Sequence, residues 1–460
     1  MAVRSSLVGR VTRSAVLKFG TDGVRGVANR DLTNEVVTAL GRATARVLGG
    51  DRCVVGRDTR RSGGALEASL VAGLVAEGMA VRVLGVAPTP AVAWVAAAEG
   101  IPGAVVSASH NSFEDNGVKL FAAGGLKLSR ALEIAVEAEF HRLLHGDPAA
   151  AAGAAVVPGS VVQGAGDVAQ WAASVAASID GRNLAGLRLV VDCANGSASG
   201  ISPAVLRSLG AQVEVLHADP DGTNINAGCG STYPRELQRV VVERGADAGI
   251  AFDGDADRVL AVDATGRVID GDQIIAVCAV DRRARACLPQ DTVVVTVMTN
   301  LGFRLGMADH GVVVREVPVG DRHVLETMAS GGYALGGEQS GHVIFSDLAT
   351  TGDGLLTAVQ LLDVVARAGR PLAELADDAM TRLPQVLRNV SVSLAGVDVT
   401  AALADEIARV EADLGEHSRV LIRASGTEPV VRVMVEAPTA AQAERAADHL
   451  AGLVADLPSP

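Results

Sequence analysis

Continuous runs of apolar, largely β-branched residues alternate along the chain with stretches that have helical spacing. Three of these runs lead into polar turns, at 53–58, 189–193 and 292–296. Strands covered on both faces are typically uninterrupted apolar runs, and their alternation with helices is typical of parallel or mixed sheets. The pattern therefore predicts repeated α/β units with strands at these three places.

Two composition breaks divide these units. The stretch 145–159 is rich in Ala, Gly and Pro, and a second break falls near Leu383 and Pro384. Beyond it, 400–414 has helical apolar spacing and 430–435 is strand-like, which predicts a smaller α+β domain at the C-terminus. At 460 residues the length alone suggests about three domains, with two or four also possible.

Composition and charge narrow the class of protein. Apolar residues make up 49% of the chain and charged residues 20%, as in a globular protein. The 40 basic and 53 acidic side chains give a net charge of −13, which argues against general affinity for nucleic acid but not against anionic small molecules. The apolar region 81–106 is broken by prolines and Glu99, so no membrane span is expected.

The five cysteines are odd in number and include no C-x-x-C pair. Neither a disulfide framework nor a structural zinc site is implied, and we expect a cytoplasmic location. The first 20 residues contain three arginines and no acid, as in a transit peptide, but they have no hydrophobic region like that of a signal peptide. We expect them to form a frayed, mobile extension.

Two segments carry polar groups capable of chemistry. An apolar run ends in Ser107-Ala108-Ser109-His110-Asn111, which is either a strand-ending turn or a reactive serine loop. The strand-like 250–252 leads into Asp253, Asp255 and Asp257, three carboxylates that would repel one another without a cation. The spacing is not that of an EF-hand, and Mg²⁺ completed by phosphate oxygens is the better candidate.

Three further loops are ambiguous when taken singly. Arg423, the stretch 425–427 and Arg432 gather guanidinium groups, hydroxyls and a glycine, which suits either a phosphate cradle or a capped turn. The loop 336–342 offers Glu338, Ser340 and His342, groups suited to sugar hydroxyls or to an ordinary surface turn. The segment 19–26, with Arg25, is either a turn or a phosphate-facing loop.

Taken together, these segments resemble the α-D-phosphohexomutase family, and within it the branch that acts on glucosamine phosphates. The matching motifs follow one another in the family's order, from about residue 18 nearly to the C-terminus: FGTDGVRG at 19–26, SASHN at 107–111, DNGVKLF at 115–121, DGDADR at 253–258, GGEQSGH at 336–342 and RASGTEPVVRVMVE at 423–436. The branch is indicated by INAGCGS at 225–231, TVMTNLGF at 296–303, VGDRHVLE at 319–326 and the glutamine at position 339.

The resemblance implies an Mg²⁺-dependent mutase that acts on small sugar phosphates through a phosphoserine and a bisphosphorylated sugar. Ser109 would carry the phosphoryl group and meet one Mg²⁺ bound by the three aspartates. The remaining roles follow from the motifs: Arg25, Lys119 and His342 in catalysis, and Arg258, Glu338, Ser340, Arg423, Ser425, Gly426, Thr427 and Arg432 in substrate binding. The resemblance also suggests a homodimer, whereas the net charge and the broken apolar region argue against nucleic-acid and membrane partners.

The family's fold implies three similar α/β domains with mixed sheets and a smaller C-terminal α+β domain around a central cleft. We expect the domains at 1–160, 161–266, 267–382 and 383–460. The sequence departs from the family's usual pattern at Ser112, usually proline, at Ala424, usually larger, and at His323, usually tyrosine in this branch. A phosphomannomutase or phosphoglucomutase, an aspartate-nucleophile phosphatase and a non-catalytic sugar-phosphate sensor remain alternatives.

Overall fold

A computed structural model describes residues 19–20, 23–145, 157–164, 166–391, 399–424 and 430–457. Within these residues, helices pack on four separate sheets in chain order. The first three sheets are mixed and the fourth is antiparallel. The predicted α/β fold is therefore confirmed, and the strands predicted from apolar runs lie where the pattern indicated, at Arg52–Arg57, Arg188–Asp192 and Thr292–Thr296.

The first sheet has eight strands in the order β1-β2-β6-β5-β3-β4-β8, with β7 on β6. Strands β5, β3, β4 and β8 are parallel, whereas β6 and β2 are antiparallel to their neighbours. The strands are β1 (Phe19–Gly20), β2 (Gly23–Val27), β3 (Arg52–Arg57), β4 (Ala80–Val86), β5 (Gly103–Val106), β6 (Asp115–Ala122), β7 (Leu126–Lys127) and β8 (Val161–Gln163).

Four helices cover both faces of this sheet, which explains its continuous apolar strands. Along β3, Val55 packs with α1, α2 and α4, whereas Val54 packs with α3 on the opposite face. These helices are α1 (Asn34–Leu48), α2 (Gly63–Ala76), α3 (Thr89–Glu99) and α4 (Arg130–Leu144). Since successive strand side chains alternate between faces, the four central positions of β3 are all buried.

The second and third sheets share one hydrophobic core. The second runs β10-β9-β11-β12-β13 and the third β15-β14-β16-β17. Their strands are β9 (Arg188–Asp192), β10 (Gln212–Leu216), β11 (Ala248–Phe252), β12 (Val259–Asp263), β13 (Val268–Ile269), β14 (Thr292–Thr296), β15 (Val313–Val317), β16 (Leu335–Gly337) and β17 (Val343–Phe345). Their helices are α5 (Asp167–Ala177), α6 (Ser202–Ser208), α7 (Arg235–Arg244), α8 (Gly271–Ala284), α9 (Leu301–Asp309), α10 (Asp321–Gly331), α11 (Gly354–Ala368) and α12 (Leu372–Ala379), with a 3-10 turn at Pro289–Asp291.

The fourth sheet has the order β18-β20-β19 and a core of its own. Its elements are β18 (Gln385–Ser391), α13 (Val399–Ala402), α14 (Ala404–Leu414), β19 (Arg419–Ala424), β20 (Val430–Glu436) and α15 (Ala440–Ala455). Polar contacts attach it to the third unit: Glu436 accepts from the backbone N–H of Leu301 at 3.1 Å, and the Asn300 amide donates to the carbonyl of Leu383 at 2.9 Å.

The domain boundaries at 160, 266 and 382 stay a prediction. Strand β8 pairs with β4 and so extends the first sheet beyond residue 160. The predicted helical stretch 400–414 falls into two helices separated by Leu403. No helix among the described residues combines enough length with enough apolar character for a bilayer crossing.

Candidate active site

Ser109 lies in the loop that follows the buried strand β5, and it faces the acidic loop of the second unit. Its hydroxyl donates to Asp253 Oδ2 at 2.6 Å. Only 1% of the residue is exposed, and its φ of 54° lies in the left-handed region that non-glycine residues rarely adopt. Such backbone strain persists only where the surroundings impose it. The fold therefore holds this one hydroxyl against a carboxylate from a distant part of the sequence.

The guanidinium of Arg60 is the main support of this loop. It is fully buried and paired with Asp58 at 2.8 Å. It donates to the backbone carbonyls of Ser109 and Asn111, both at 2.9 Å, and also to those of Ser112 and Asp115. A planar guanidinium has five donors in a fixed arrangement, so it fixes the loop's shape as well as its position.

Three more hydrogen bonds complete the support. Asp58 also accepts from the hydroxyl of Ser107 at 2.7 Å, and that hydroxyl accepts from the backbone N–H of Ser109 at 2.9 Å. From the second unit, the Asn226 amide donates to the carbonyl of Ser109 at 2.9 Å. Sequence reasoning missed Arg60 and Asn226. Arg60 follows β3, and β3 is the parallel neighbour of β5, so the loops after both strands lie at the same edge of the sheet. This position was the signal in the sequence that could have identified Arg60.

The three predicted metal aspartates form one buried cluster. One carboxylate oxygen from each of Asp253, Asp255 and Asp257 lies within 4.8 Å of the others. At most 6% of any of these residues is exposed. The loop follows β11, which is buried along its whole length, and Ala256 takes a positive φ of 58° within it. The structure thus brings together the carboxylates that the sequence singled out.

Lys119 provides positive charge to this cluster. Its Nζ lies 2.6 Å from Asp255 Oδ2 and 2.7 Å from Asp257 Oδ2. The register of β6 against β5 pairs Lys119 with Val105, whose side chain packs with α3. Helix α3 begins at Thr89, whose hydroxyl donates to Asp255 Oδ2 at 2.6 Å. Strand register therefore directs the lysine toward the aspartates.

Burial and charge shift the pKa values of two of these carboxyls in opposite directions. Burial, together with Asp257 and Asp255, raises the pKa of Asp253 well above its usual value. Burial would also raise the pKa of Asp257, but Lys119 and His342 outweigh it and hold that pKa well below the usual range. Negative charge therefore concentrates on the side of the cluster nearest Lys119.

The cluster has the donors that a hard divalent cation requires. Mg²⁺ prefers carboxylate oxygens and completes its shell with water or phosphate. Asp255 Oδ1 and Asp257 Oδ1 are buried and accept no hydrogen bond from the part of the chain that the structure describes. Unpartnered buried acceptors are costly unless a cation or water meets them. The residues present therefore fit Mg²⁺.

His342 lies between two carboxylates. Its Nδ1 is 3.8 Å from Asp257 Oδ2 and its Nε2 is 3.7 Å from Asp321 Oδ2. Burial lowers the pKa of this imidazole, but Asp257 and Asp321 outweigh burial and raise it above its usual value. Asp321, which also pairs with Lys127, was not singled out from the sequence, although the motif at 319–326 contains it.

His110 is a second imidazole near the serine. Its Nδ1 is 3.4 Å from Ser109 Oγ and 3.4 Å from Arg258 Nη1. Burial, together with Arg258 and Arg25, lowers the pKa of His110 to about 4. The ring is therefore neutral at neutral pH and contributes hydrogen bonding without charge.

The predicted reaction-centre residues line one cavity of about 160 Å³ between the first three units. Its wall combines cationic and anionic side chains: Arg25, Lys119, Asp257, Arg258, Asp321, Glu338 and His342. Glu338 Oε1 accepts from the backbone N–H of Gly320 at 3.1 Å, which ties the two loops of the third unit together. Ser340 is exposed at the tip of the turn between β16 and β17 and does not line this cavity.

The predicted distal phosphate site lies in the fourth unit. Arg423 and Arg432 are directly paired across β19 and β20. Burial, together with Arg432, lowers the pKa of Arg423. Like charges opposite each other in a sheet repel, so this pair favours an anion between them. Ser425, Gly426 and Thr427 lie outside the described residues.

Four family models match successive parts of the chain. All four carry the description phosphoglucomutase/phosphomannomutase: alpha/beta/alpha domains I, II and III match residues 16–145, 168–266 and 270–383, and the C-terminal domain matches 376–453. The chain belongs to this family. The resemblance that the motifs indicated is thereby confirmed.

Curated relatives align over nearly the whole chain. A phosphoglucosamine mutase of Frankia casuarinae is 54% identical over 450 residues, covering 95% of this chain and 97% of its own. A phosphoglucosamine mutase of Acidothermus cellulolyticus is 53% identical over 464 residues, covering 99% of each chain. That of Thermobifida fusca is 51% identical over 447 residues, covering 95% and 98%.

Solved structures share the fold over the same length. A phosphoglucomutase/phosphomannomutase family protein of Burkholderia thailandensis has a TM-score of 0.79 at 26% identity, covering 98% of this chain and 99% of its own. An N-acetylphosphoglucosamine mutase of Aspergillus fumigatus, solved with GlcNAc-6P and magnesium, has a TM-score of 0.70 at 20% identity and covers 96% of each chain. The second likeness concerns the fold alone.

Proposed function

We propose that the chain interconverts glucosamine 6-phosphate and glucosamine 1-phosphate through a phosphoserine at Ser109 and a bisphosphorylated sugar, in an Mg²⁺-dependent reaction. The observation that carries the proposal is the 2.6 Å contact between Ser109 Oγ and Asp253 within a buried three-aspartate cluster. Relatives of more than 50% identity named phosphoglucosamine mutase support the choice of sugar.

Asp253, Asp255 and Asp257 would hold the metal together with the group on Ser109. When bound, Mg²⁺ would neutralise the negative charge that develops on the oxygens of the phosphoryl group during its transfer. The protein's own task is to hold the serine in place, which Arg60 and Asn226 do through its backbone carbonyl. Phosphoryl transfer depends mainly on such positioning and on charge stabilisation.

In the proposed reaction, the bond between phosphorus and Ser109 Oγ breaks as a bond forms to a hydroxyl oxygen of the sugar phosphate. A proton leaves the sugar hydroxyl and a proton reaches Ser109 Oγ as the phosphoryl group departs. Lys119 and His342, which line the cavity, are the candidates for the acid or base that transfers it. The bisphosphate then turns over, and the phosphoryl group at the other position returns to Ser109. One proton and one phosphoryl group are thus exchanged in each half-reaction, and the enzyme is regenerated.

The two ends of the sugar phosphate would meet different units. Arg423 and Arg432, with the hydroxyls at 425–427, would hold the phosphate that is not reacting, because paired guanidinium groups bind phosphate oxygens strongly. Glu338 and Ser340 would receive the sugar hydroxyls, and Arg25 and Arg258 would face the reacting phosphate. After the bisphosphate has reoriented, its other phosphate must occupy the same distal site. This exchange favours a fourth unit that opens to let the intermediate turn and then closes again.

We also propose a homodimer in the cytoplasm without nucleic-acid or membrane partners. The net charge of −13 supports the absence of nucleic acid, and free buried cysteines suit a reducing compartment. Light scattering of the purified chain tests the dimer.

A side-by-side assay tests the reaction. Glucosamine, glucose and mannose 6-phosphates are supplied separately with Mg²⁺, and both the 1-phosphate product and free inorganic phosphate are measured. We expect the highest kcat/KM for glucosamine 6-phosphate and no phosphate release. Preference for mannose or glucose would identify another member of the family, and stoichiometric phosphate release would identify a phosphatase; either result overturns the proposal.

A further inference from the structure

A second cluster of metal-ligating side chains lies in the second unit, beside the acidic loop. Asp192 ends β9, His217 follows β10, and Cys229 lies in the loop that precedes α7. One ligand atom from each of the three lies within 4.8 Å of the others. Parallel strands β9 and β10 end at the same edge of the sheet, so the topology brings together residues that no sequence motif joins.

The donor set favours a borderline-soft cation. Carboxylate, imidazole and thiolate together suit Zn²⁺ and related transition metals, whereas Mg²⁺ takes oxygen ligands. Asp192 and Cys229 are fully buried, and 23% of the His217 side chain reaches solvent. A fourth ligand, water, would enter from the side where His217 meets solvent.

The imidazole of His217 lies between two carboxylates. Its Nδ1 is 3.1 Å from Asp192 Oδ2, and this contact is the main reason that the pKa of the imidazole is raised. A metal ion bound at Nδ1 would replace the proton that the contact favours. Nε2 of His217 lies 3.2 Å from Glu236 Oε2 on the outer side. A ligating histidine usually places its other nitrogen against a carboxylate in this way.

The carboxylate is held in the same manner. Asp192 Oδ1 accepts from the backbone N–H of Ala194 and Oδ2 from that of Gly230, both at 2.9 Å. The chain is also constrained around the cluster, since His217 and Ala194 have φ values of 48° and 54°. Two of the three candidate ligands thus have their outer contacts already formed.

The cluster is connected to the reactive serine loop. Cys229 lies three residues from Asn226, whose amide donates to the carbonyls of Ser109 and Asn111. On the other side of Cys229, the backbone N–H of Ser231 donates to the carbonyl of Phe252, just before the acidic triad, at 2.8 Å. An ion that fixes Cys229 would therefore fix a loop that contacts both halves of the candidate active site.

We propose that Asp192, His217 and Cys229 bind one thiophilic divalent cation of the Zn²⁺ class at a structural site separate from the aspartate triad. On binding, the Cys229 sulfur and Nδ1 of His217 give up their protons to solvent, and Nε2 of His217 keeps the proton that faces Glu236. The site exists whether or not the chain turns over sugar phosphates, because none of its ligands belongs to the reaction centre.

Cobalt spectroscopy of the full chain tests the site without an activity readout. Metal-free protein is titrated with Co²⁺, and the thiolate-to-cobalt charge-transfer band in the near ultraviolet is recorded. We expect the saturated band to correspond to one thiolate-bound Co²⁺ per chain, and we expect Cys229→Ser to abolish the band. The aspartate triad has only oxygen donors and cannot produce it. Cys278→Ser, at a buried cysteine, and Cys287→Ser, at an exposed one, are the matched controls and should keep it.

Zinc competition against a chromophoric chelator provides the second measurement. We expect His217→Gln to weaken Zn²⁺ affinity by roughly tenfold or more, and Asp255→Asn to leave it unchanged. Circular dichroism of the metal-free variants separates lost binding from lost folding. An absent band in the wild type, a band that persists in Cys229→Ser, or equal zinc affinity in wild type and His217→Gln would overturn the proposal.

Discussion

The guanidinium of Arg60 donates from Nη2 to the backbone carbonyl of Ser109 at 2.9 Å, and neither residue exposes more than 1% of its surface. The loop that contains Ser109 is therefore fixed by a buried ion pair in addition to its own turn contacts. Asp58, the partner of Arg60, also accepts from Ser107 in the same loop. One change at position 60 should loosen every one of these contacts.

Arg60→Lys keeps the charge but loses the planar set of donors. We expect kcat to fall by roughly 10² while KM changes little, because a small misplacement of a reacting group costs about this much. Steady-state kinetics on glucosamine 6-phosphate measure both constants. Arg61→Lys is the matched control, since Arg61 is the exposed neighbour. Equal kcat in wild type and Arg60→Lys would contradict the positioning role.

The aspartate cluster predicts a change in metal dependence. Asp255→Asn removes one of the buried, unpartnered carboxylate oxygens and a charge that faces Lys119. We expect the Mg²⁺ concentration for half-maximal activity to rise by about tenfold or more, because carboxylates are the preferred ligands of this ion. Metal titration of activity measures it, with the exposed Asp309→Asn as control. Superimposable titration curves for wild type and Asp255→Asn would exclude the triad as the Mg²⁺ site.

The arginine pair of the fourth unit predicts a defect in affinity. Arg423 faces Arg432 across β19 and β20, so an anion between them relieves their repulsion. We expect Arg423→Gln to raise KM by roughly tenfold or more and to change kcat less, because this phosphate does not react. Arg388→Gln, on β18 of the same sheet and paired with Asp448, is the control. A wild-type KM in Arg423→Gln would count against the distal phosphate site.

Asp272 at the start of α8 predicts a pH-dependent stability. Burial, with Asp270 adding to it, raises the pKa of Asp272 to about 8. An unfolded aspartate titrates near 3.9, so between about pH 4 and about pH 8 the folded chain holds a proton that the unfolded chain releases. The free energy of unfolding therefore decreases as the pH rises through that window.

Asp272→Asn removes this titration while its amide can still face the hydroxyl of Thr299. We expect the stability of the variant relative to the wild type to increase as the pH rises toward about 8. Urea unfolding at a series of pH values measures the difference. The exposed Asp405→Asn should show no such trend. A pH-independent difference between Asp272→Asn and wild type would rule out a raised pKa at this carboxyl.

The sequence predicted the parts of the fold and the site that depend on local pattern. The buried strand before Ser109 and the strand before Asp253 were both recognisable as apolar runs that end in polar loops. Motif order then indicated that these loops meet, although 144 residues separate the two side chains. The contact itself depends on how the first and second units pack, which no local pattern encodes.

The supporting contacts were not predictable for a related reason. A guanidinium such as that of Arg60 is read from sequence only as a charge, whereas its role here depends on four backbone carbonyls folded around it. Similarly, the sequence offered no reason to place Cys229 in a metal site, because the only criterion applied to the cysteines was their spacing along the chain. Its candidate partners Asp192 and His217 become its neighbours only through parallel strand pairing.

The central claim is that Ser109 carries the phosphoryl group. The most direct measurement is peptide mass spectrometry of the purified chain after brief incubation with glucosamine 1,6-bisphosphate and Mg²⁺. We expect one added phosphoryl group on the peptide that contains Ser109 and none on the same peptide of Ser109→Ala, with Ser112→Ala labelled like the wild type. A phosphoryl group on Asp253, or turnover with an unlabelled Ser109, would contradict the account.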